Sequence, residues 1–412
     1  MRRTGPIRVL EFRSVRGTGG GPEKTILRGA TLADPARSQV TVCYLRDDRD
    51  TCFGVTERPE RAGVDYLEIR ERHSFDPSVW PKLRKLIAER EIDIVHAHDY
   101  KTNFLTLLLG QTGGVTPLST VHGWTGHSFR ERRCYYPADK KILGRFPKVI
   151  AVSSEIGREL IRHGASPKAV TTVLNGIDHQ QFVRTRSREA DIRRSFGFTS
   201  ADVVLGAVGR LEPQKRFDIL LDTFARLHHR RPETRLVIVG DGSSKAALEA
   251  QRKALNLEAS VTLLGHVADV IPVHHAFDLF VQSSEYEGTP NAVLEAMALE
   301  TPIVATDAGG TAELAEHNVH GRIVPVRNAD RLFHGIESAL SDPGGTRRMV
   351  ERARRRVETD LSFEARVRRV EDIYEEVAGL AQGAHSTPPS AGLGRRHAFG
   401  DVVAAGRGPD GR

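Results

Sequence analysis

Short runs of β-branched and apolar residues alternate along this chain with longer amphipathic stretches. In the first half, Ile7–Phe12, Val40–Leu45, Ile92–Ala97, Leu118–Val121, Val149–Val152 and Val170–Leu174 read as strands. In the second half, Val203–Val208, Arg235–Val239, Val261–Leu264, Leu279–Gln282, Ile303–Ala305 and Arg322–Pro325 do the same. Between them, Phe217–His228 and Lys245–Leu255 carry apolar residues at helical spacing. Apolar strands alternating with helices predict parallel sheets covered on both faces. The pattern occurs twice, on either side of a polar stretch near Gly176–Arg194. The expected fold class is therefore α/β: two doubly wound, Rossmann-like domains, residues 1–179 and 180–362, with a cleft between them. A charged amphipathic helix is expected over 363–380. Residues 381–412, rich in Gly, Pro, Ser, Ala and Arg without periodicity, are expected to be a disordered tail.

Composition narrows the class. A chain of 412 residues with 39% apolar and 27% charged residues is ordinary for a globular protein of two domains. Cys43, Cys52 and Cys134 are widely spaced and form no CxxC pair, so neither a zinc site nor a disulfide framework is indicated. A reducing cytoplasm fits that usage. No run is apolar enough for a signal peptide or a bilayer span. The net charge of +7 is uneven, with 34 Lys and Arg against 23 acids up to residue 200 and 26 against 30 beyond it. A basic first half suits an anionic partner, and an arginine-rich proteome would produce the same skew. No nucleic-acid-binding motif accompanies it.

The segment Glu287-Gly288-Thr289-Pro290-Asn291 follows a strand and opens a helix that carries Glu295 two turns in. Thr289 is expected as N-cap and Pro290 as the first helical residue. Its free N–H groups would face a ligand above the strand ends, where open α/β sheets bind. Glu287 suits a sugar hydroxyl, and Glu295 a ribose diol. On spacing alone, a capped core helix with two incidental carboxylates explains the segment equally. Arg210 and Lys215 follow another strand and suit a diphosphate, or simply solvent. Gly17–Gly21 offers a tight turn or a phosphate loop, without the GxGxxG spacing of a dinucleotide site. His122 with Gly123, and His96 with His98 and Asp99, close two further strands. His98 and Asp99 are candidates for the acceptor side, with a structural reading beside it. Arg46-Asp47-Asp48-Arg49-Asp50 looks like a metal motif but lies far from these segments and reads as a solvated loop. From Arg130 to Lys148, basic residues interleave with aromatics, which fits either an anionic membrane surface or an ordinary basic helix.

The segment SSEYEGTPNAVLEAMALETPIVATDAGGTAEL resembles the donor-site signature of glycosyltransferase family 4, whose glutamates stand as Glu287 and Glu295 do here. The segments GTGGGPEKTIL, VIAVSSEIGREL, VLNGID, VGRLEPQKRFDILLDTF and LVIVGDG follow in the family's order, so the resemblance covers roughly Ile7 to Leu380. It implies a GT-B architecture and a retaining transferase of the hexosyl type. The donor is a nucleotide diphosphate sugar, UDP being the commonest carrier, and the acceptor a glycan, a lipid-linked intermediate or a small molecule. The first domain would bind the acceptor, the second the donor, and the last helix would cross back to the first domain. By resemblance, Arg210 and Lys215 hold the diphosphate together with Gly288, Thr289, Pro290 and Asn291. Gly20 and Gly21 lie over the phosphates, and backbone at His266 and Val267 holds the base. His122 stands beside the reacting sugar with Glu287. No metal or other cofactor is expected, because these cations and the helix dipole supply the counter-charge. An envelope or exopolysaccharide pathway is expected, at the inner face of the membrane. A nucleotide-sugar 2-epimerase on the same scaffold and a non-catalytic binding protein are the alternatives.

Overall fold

The computed structural model describes residues 5–17, 20–51, 54, 63–74, 76–112, 114–124 and 129–385, with backbone only for Arg132 and 380–385. The first sheet has seven strands: β1 Ile7–Val15, β2 Ser38–Asp47, β3 Asp65–Glu71, β4 Ile94–Ala97, β5 Thr116–Val121, β6 Lys148–Ala151 and β7 Val170–Thr172. Its order is β3-β2-β1-β4-β5-β6-β7. The second has six: β8 Val203–Val208, β9 Thr234–Val239, β10 Val261–Gly265, β11 Leu279–Gln282, β12 Ile303–Thr306 and β13 Arg322–Val324, ordered β10-β9-β8-β11-β12-β13. The strand pairings are parallel throughout. In both sheets the order reverses beside the first strand, which opens a crevice at the strand ends there. Strand β3 was not among the expected strands.

Among the described residues, the helices of the first sheet are α1 Gly21–Leu32, α2 Val79–Glu89, α3 Tyr100–Thr112, α4 Tyr136–Leu143 (entered through a π-turn at Glu131–Tyr135) and α5 Ser154–Arg162. Those of the second are α6 Glu189–Ser195, α7 Phe217–Arg230, α8 Lys245–Ala254, α9 Ile271–His275, α10 Asn291–Ala298, α11 Thr311–Leu314, α12 Ala329–Ser341 and α13 Pro343–Thr359. The last helix, α14 Phe363–His385, returns to the first sheet. Its Val370, Ile373, Tyr374 and Val377 pack on Val9, Ile94, Leu118 and Ile150. Ion pairs tack its outer side down: Arg37 meets Asp372 and Glu375, and Lys148 meets Glu376. The helix runs five residues past the expected boundary at 380, which corrects the start of the expected tail. The rest of that tail, 386–412, lies outside the described residues.

The chain crosses between the sheets twice, and the two crossings touch. Ile177 N–H donates to Leu361 O at 2.9 Å, and Phe363 N–H to Ile177 O at 3.0 Å. Each sheet keeps its own apolar core. Leu10, Leu45 and Leu83 lie in the first, and Leu205, Phe224 and Val281 in the second.

Candidate functional site

The loop from β11 to α10 is laced to its surroundings before it reaches the cleft. Glu287 is buried, and its Oε1 accepts from Ser284 Oγ at 2.6 Å, Lys215 Nζ at 2.6 Å and Gln282 Nε2 at 3.3 Å. Lys215 ends a 3₁₀ turn after β8, and Arg216 beyond it sits in the left-handed region at φ 50°. The two loops are tied again by Glu285 N–H to Gln214 O and Ser283 Oγ–H to Lys215 O, both 2.8 Å. Expected as a phosphate ligand and a sugar ligand, Lys215 and Glu287 thus form one ion pair. Arg210 is exposed at the end of β8, and Lys215's side chain lies against Gly209 next to it.

Helix α10 begins one residue later than expected. Pro290 is the N-cap residue, with extended backbone, and Asn291 is the first helical residue. Thr289 does not cap: its hydroxyl donates across the cleft to Val152 O. Further cross-cleft contacts lie nearby. Asn175 Nδ2 donates to Asn291 Oδ1 at 3.2 Å, and Ser154 N and Oγ donate to Glu313 at 2.7 and 2.6 Å. Gly288 faces the His122 carbonyl so closely that a Cβ would stand 2.9 Å from the oxygen. Gly309, at φ 56°, backs the same loop, where a Cβ would fall 1.7 Å from Glu287 O. A Cβ on Gly21 would stand 2.9 Å from Asn291 Nδ2. The N-termini of α1 and α10 therefore converge, and two positive dipole ends meet where an anion would neutralise both. At α1 the Gly20 amide is already taken by Glu23 Oε2. Glu23 in turn pairs with Arg13.

Glu295 is partly exposed on α10, and no hydrogen bond to it is found among the described residues. Burial raises its carboxyl to about 7, against the pull of Lys24 and Lys215. A carboxylate left short of donors at a cleft is prepared for a ligand's hydroxyls. His266 is exposed and Val267 partly so, just after β10 and the positive-φ Gly265.

The acceptor-side residues stand differently from expectation. His98 is buried, with Nε2 on Glu11 and Nδ1 3.2 Å from His122 Nε2, so it offers nothing directly to a ligand. Asp99 accepts from the backbone amides of Ser14 at 2.7 Å, Lys101 at 3.0 Å and Thr102 at 3.1 Å. It caps α3 and ties it to β1, the structural role that was set beside the acceptor reading. His122 is half-buried, with its carbonyl facing Gly288 across the cleft, and burial holds its ring's pKa well below the ordinary value. Sequence reasoning missed Glu11 and Tyr374. The signal was there for Glu11, an acid in the middle of an apolar strand.

Ligand atoms of Glu11, His96 and His98 lie within 4.8 Å of one another, near enough to share an ion. Yet both ring nitrogens of His96 already meet partners, Tyr374 OH at 2.9 Å and Thr120 Oγ1 at 2.7 Å. In the Arg46–Asp50 segment, Asp47 is buried against Arg49, and Asp50 accepts from Gly17 N–H at 2.6 Å. Asp48 and Arg49 are exposed, as expected of a solvated loop, and Asp50 also makes that loop an anchor for the glycine turn. In the basic stretch, Phe146 is core, Lys148 pairs with Glu376 and Lys140 with Glu159. Phe129, 74% exposed, remains with exposed Arg130, Arg133, Lys141 and Arg145 as an outward face. Among the described residues no helix is long and apolar enough to cross a membrane.

Comparison with known proteins decides the family. The sequence profile for Glycosyltransferase Family 4 matches residues 19–181, and that for Glycosyl transferases group 1 matches residues 188–356. The chain is a family 4, group 1 glycosyltransferase. It is 28% identical over 298 residues to an uncharacterised glycosyltransferase of Methanocaldococcus jannaschii, covering 69% of this chain and 75% of the relative. It is 24% identical over 338 residues to the UDP-Gal:alpha-D-GlcNAc-diphosphoundecaprenol alpha-1,3-galactosyltransferase of Escherichia coli, covering 76% and 85%. Among solved structures, Anabaena HepE in complex with UDP-glucose superposes with a TM-score of 0.77 at 21% identity, covering 90% of this chain and 100% of that one. The fold is GT-B, and the transferase's two sheets and cleft are those described above.

Proposed function

We propose that this glycosyltransferase moves a sugar, with retention, from a nucleotide diphosphate sugar to a hydroxyl of a glycan, lipid-linked or small-molecule acceptor. UDP is the proposed carrier and envelope or exopolysaccharide assembly the proposed setting. The observation that carries the donor reading is the meeting of the α1 and α10 N-termini beside the Lys215–Glu287 pair, with Glu295 short of donors one turn further on. Two helix ends and the cations Arg210 and Lys215 provide counter-charge for a diphosphate that gains charge as the sugar leaves. No metal is needed to complete that count. Glu295 takes the ribose diol, backbone at His266 and Val267 the base, and Glu287 the sugar hydroxyls. The leaving phosphate takes the acceptor's proton on the face it vacates, so no strong general base is required.

The names of the relatives support the two substrates separately. HepE was crystallised with UDP-glucose, and the E. coli relative is named for a UDP-sugar donor and a diphosphoundecaprenol acceptor. The exposed face at Phe129, Arg130, Arg133 and Lys141 suits an anionic lipid surface that would deliver such an acceptor. A melting panel of UDP, GDP and ADP with their common sugar conjugates, with and without EDTA, tests the donor. A ligand at 100 times its Kd adds about 2.7 kcal/mol of stability. A shift confined to uridine nucleotides and indifferent to EDTA is expected. Absence of any nucleotide shift would sink the donor site as drawn.

A further inference from the structure

Beneath the cleft, three histidines, a tyrosine and one carboxylate form a chain of hydrogen bonds of which the transfer reaction, as read above, uses only His122. Glu11 on β1 stands opposite His96 on β4 in register. Its Oε2 meets His98 Nε2, and its Oε1 accepts from Tyr374 OH at 2.8 Å. His98 Nδ1 lies 3.2 Å from His122 Nε2, and the two rings stack with centroids 5.5 Å apart. On the other branch, Tyr374 OH lies 2.9 Å from His96 Nδ1, and His96 Nε2 2.7 Å from Thr120 Oγ1. Glu11, His96, His98 and Tyr374 are all buried.

One charge orders every proton in this chain. Burial pushes the Glu11 carboxyl up, but the rings of His96 and His98, by their charge when protonated and by their hydrogen bonds to it, prevail and hold it well below its ordinary range. An ionised carboxylate can only accept, so Tyr374 and His98 Nε2 must both donate to it. Burial also holds His98 down at about 4, so its ring carries a single proton near neutral pH. That proton is on Nε2, which leaves Nδ1 an acceptor. The neighbour that must donate to it is His122 Nε2. His122 is itself kept neutral by burial, so its Nδ1 is bare. Among the described residues no protein donor meets that nitrogen.

We infer that Glu11, acting through His98, fixes His122 as the Nε2–H tautomer, so that the ring offers the cleft only an acceptor and selects a ligand hydroxyl able to donate to it. Glu11 and His98 are positioning residues, and Tyr374 lets the returning helix α14 hold the carboxylate in place. This rests on the placement of His122 beside the reacting sugar.

The test begins with the wild-type protein labelled with ¹⁵N-histidine, the His122 signals being assigned by their loss in His122→Asn. An unprotonated Nδ1 and a protonated Nε2 are expected, and a proton on Nδ1 overturns the inference without any need for a variant at Glu11. In Glu11→Gln the amide can turn its NH₂ to His98, which reverses the donor order along the chain. The His122 signals should then move toward the other tautomer, and kcat should fall at least about 10-fold, with donor KM within about twofold. Glu11→Asp should recover part of the rate. A folded Glu11→Gln protein with unmoved His122 signals overturns the relay. Full turnover by His122→Asn would instead overturn the placement of His122 at the sugar, a result read independently of the tautomer.

Discussion

Glu295 shows at the scale of a single residue how a binding site costs the fold something. Its carboxyl titrates near 7 instead of in the ordinary carboxylate range, because burial disfavours the charge. A folded-state pKa raised in this way means that ionising the group above its unfolded pKa weakens the fold. Glu295→Gln should therefore stabilise the free protein on the order of 1 kcal/mol at pH 8, a figure reduced for the group's partial exposure. The same change should weaken a sugar nucleotide, whose ribose hydroxyls need the ionised acceptor. Wild-type affinity, measured by calorimetry, should rise as pH passes upward through about 7 and then level off. The sugar nucleotide's diphosphate has no titration in that window, so a pH-independent affinity would remove Glu295 from the ribose. Lys215 acts in the opposite sense, since its loss strands Glu287 in a buried position. Lys215→Ala should cut turnover by at least about 100-fold and cost about 3 kcal/mol of stability. Adding Glu287→Gln should recover much of the stability and none of the turnover. A near-normal rate in the single variant would mean that the diphosphate lies elsewhere.

At the scale of elements, the strands were legible where they lie inside a sheet. Val203–Val208 and Leu279–Val281 are unbroken apolar runs because both faces are covered. Strand β3 was not, because Asp65–Glu71 is an edge strand with Asp65, Glu68, Arg70 and Glu71 among its residues. The types of the site residues were legible, but their pairing was not. Lys215 and Glu287 lie 72 residues apart, and only the fold brings them to 2.6 Å. The start of α10 was misjudged for a related reason: Thr289 has the chemistry of a cap, but Val152 O across the cleft takes its hydroxyl. Gly288 carries a prediction at this scale. A methyl at Gly288 would meet the His122 carbonyl at 2.9 Å and Val152 Cγ2 at 3.2 Å, both from the other sheet. Gly288→Ala should hold the cleft open by a fraction of an ångström. Misplacement of that order lowers kcat by about 10- to 100-fold. The second sheet is untouched, so donor binding should persist. Loss of donor affinity in step with kcat would show that the glycine serves the donor loop alone.

For the whole molecule, the decisive feature is that the chain does not end in the domain it leaves. After α13 it passes beside its own earlier crossing at Ile177, and α14 covers the first sheet. Val370, Ile373, Tyr374 and Val377 are all buried there. At roughly 1.5–3 kcal/mol for each large side chain, their removal would approach the 5–15 kcal/mol that holds a typical domain together. Glu371 adds polar ties, accepting from Ser38 Oγ at 2.7 Å and from Asp34 N–H at 2.8 Å. A chain stopped after Ser362 should therefore lose the first domain, while the second, whose core α14 does not enter, keeps its cooperative melt. Limited proteolysis of the shorter chain should leave a resistant fragment that begins near residue 180. If the shorter chain instead keeps both melts, α14 is a strap laid over an already complete domain. Tyr374 could then be lost without disturbing Glu11, and the tautomer of His122 should survive the truncation as well.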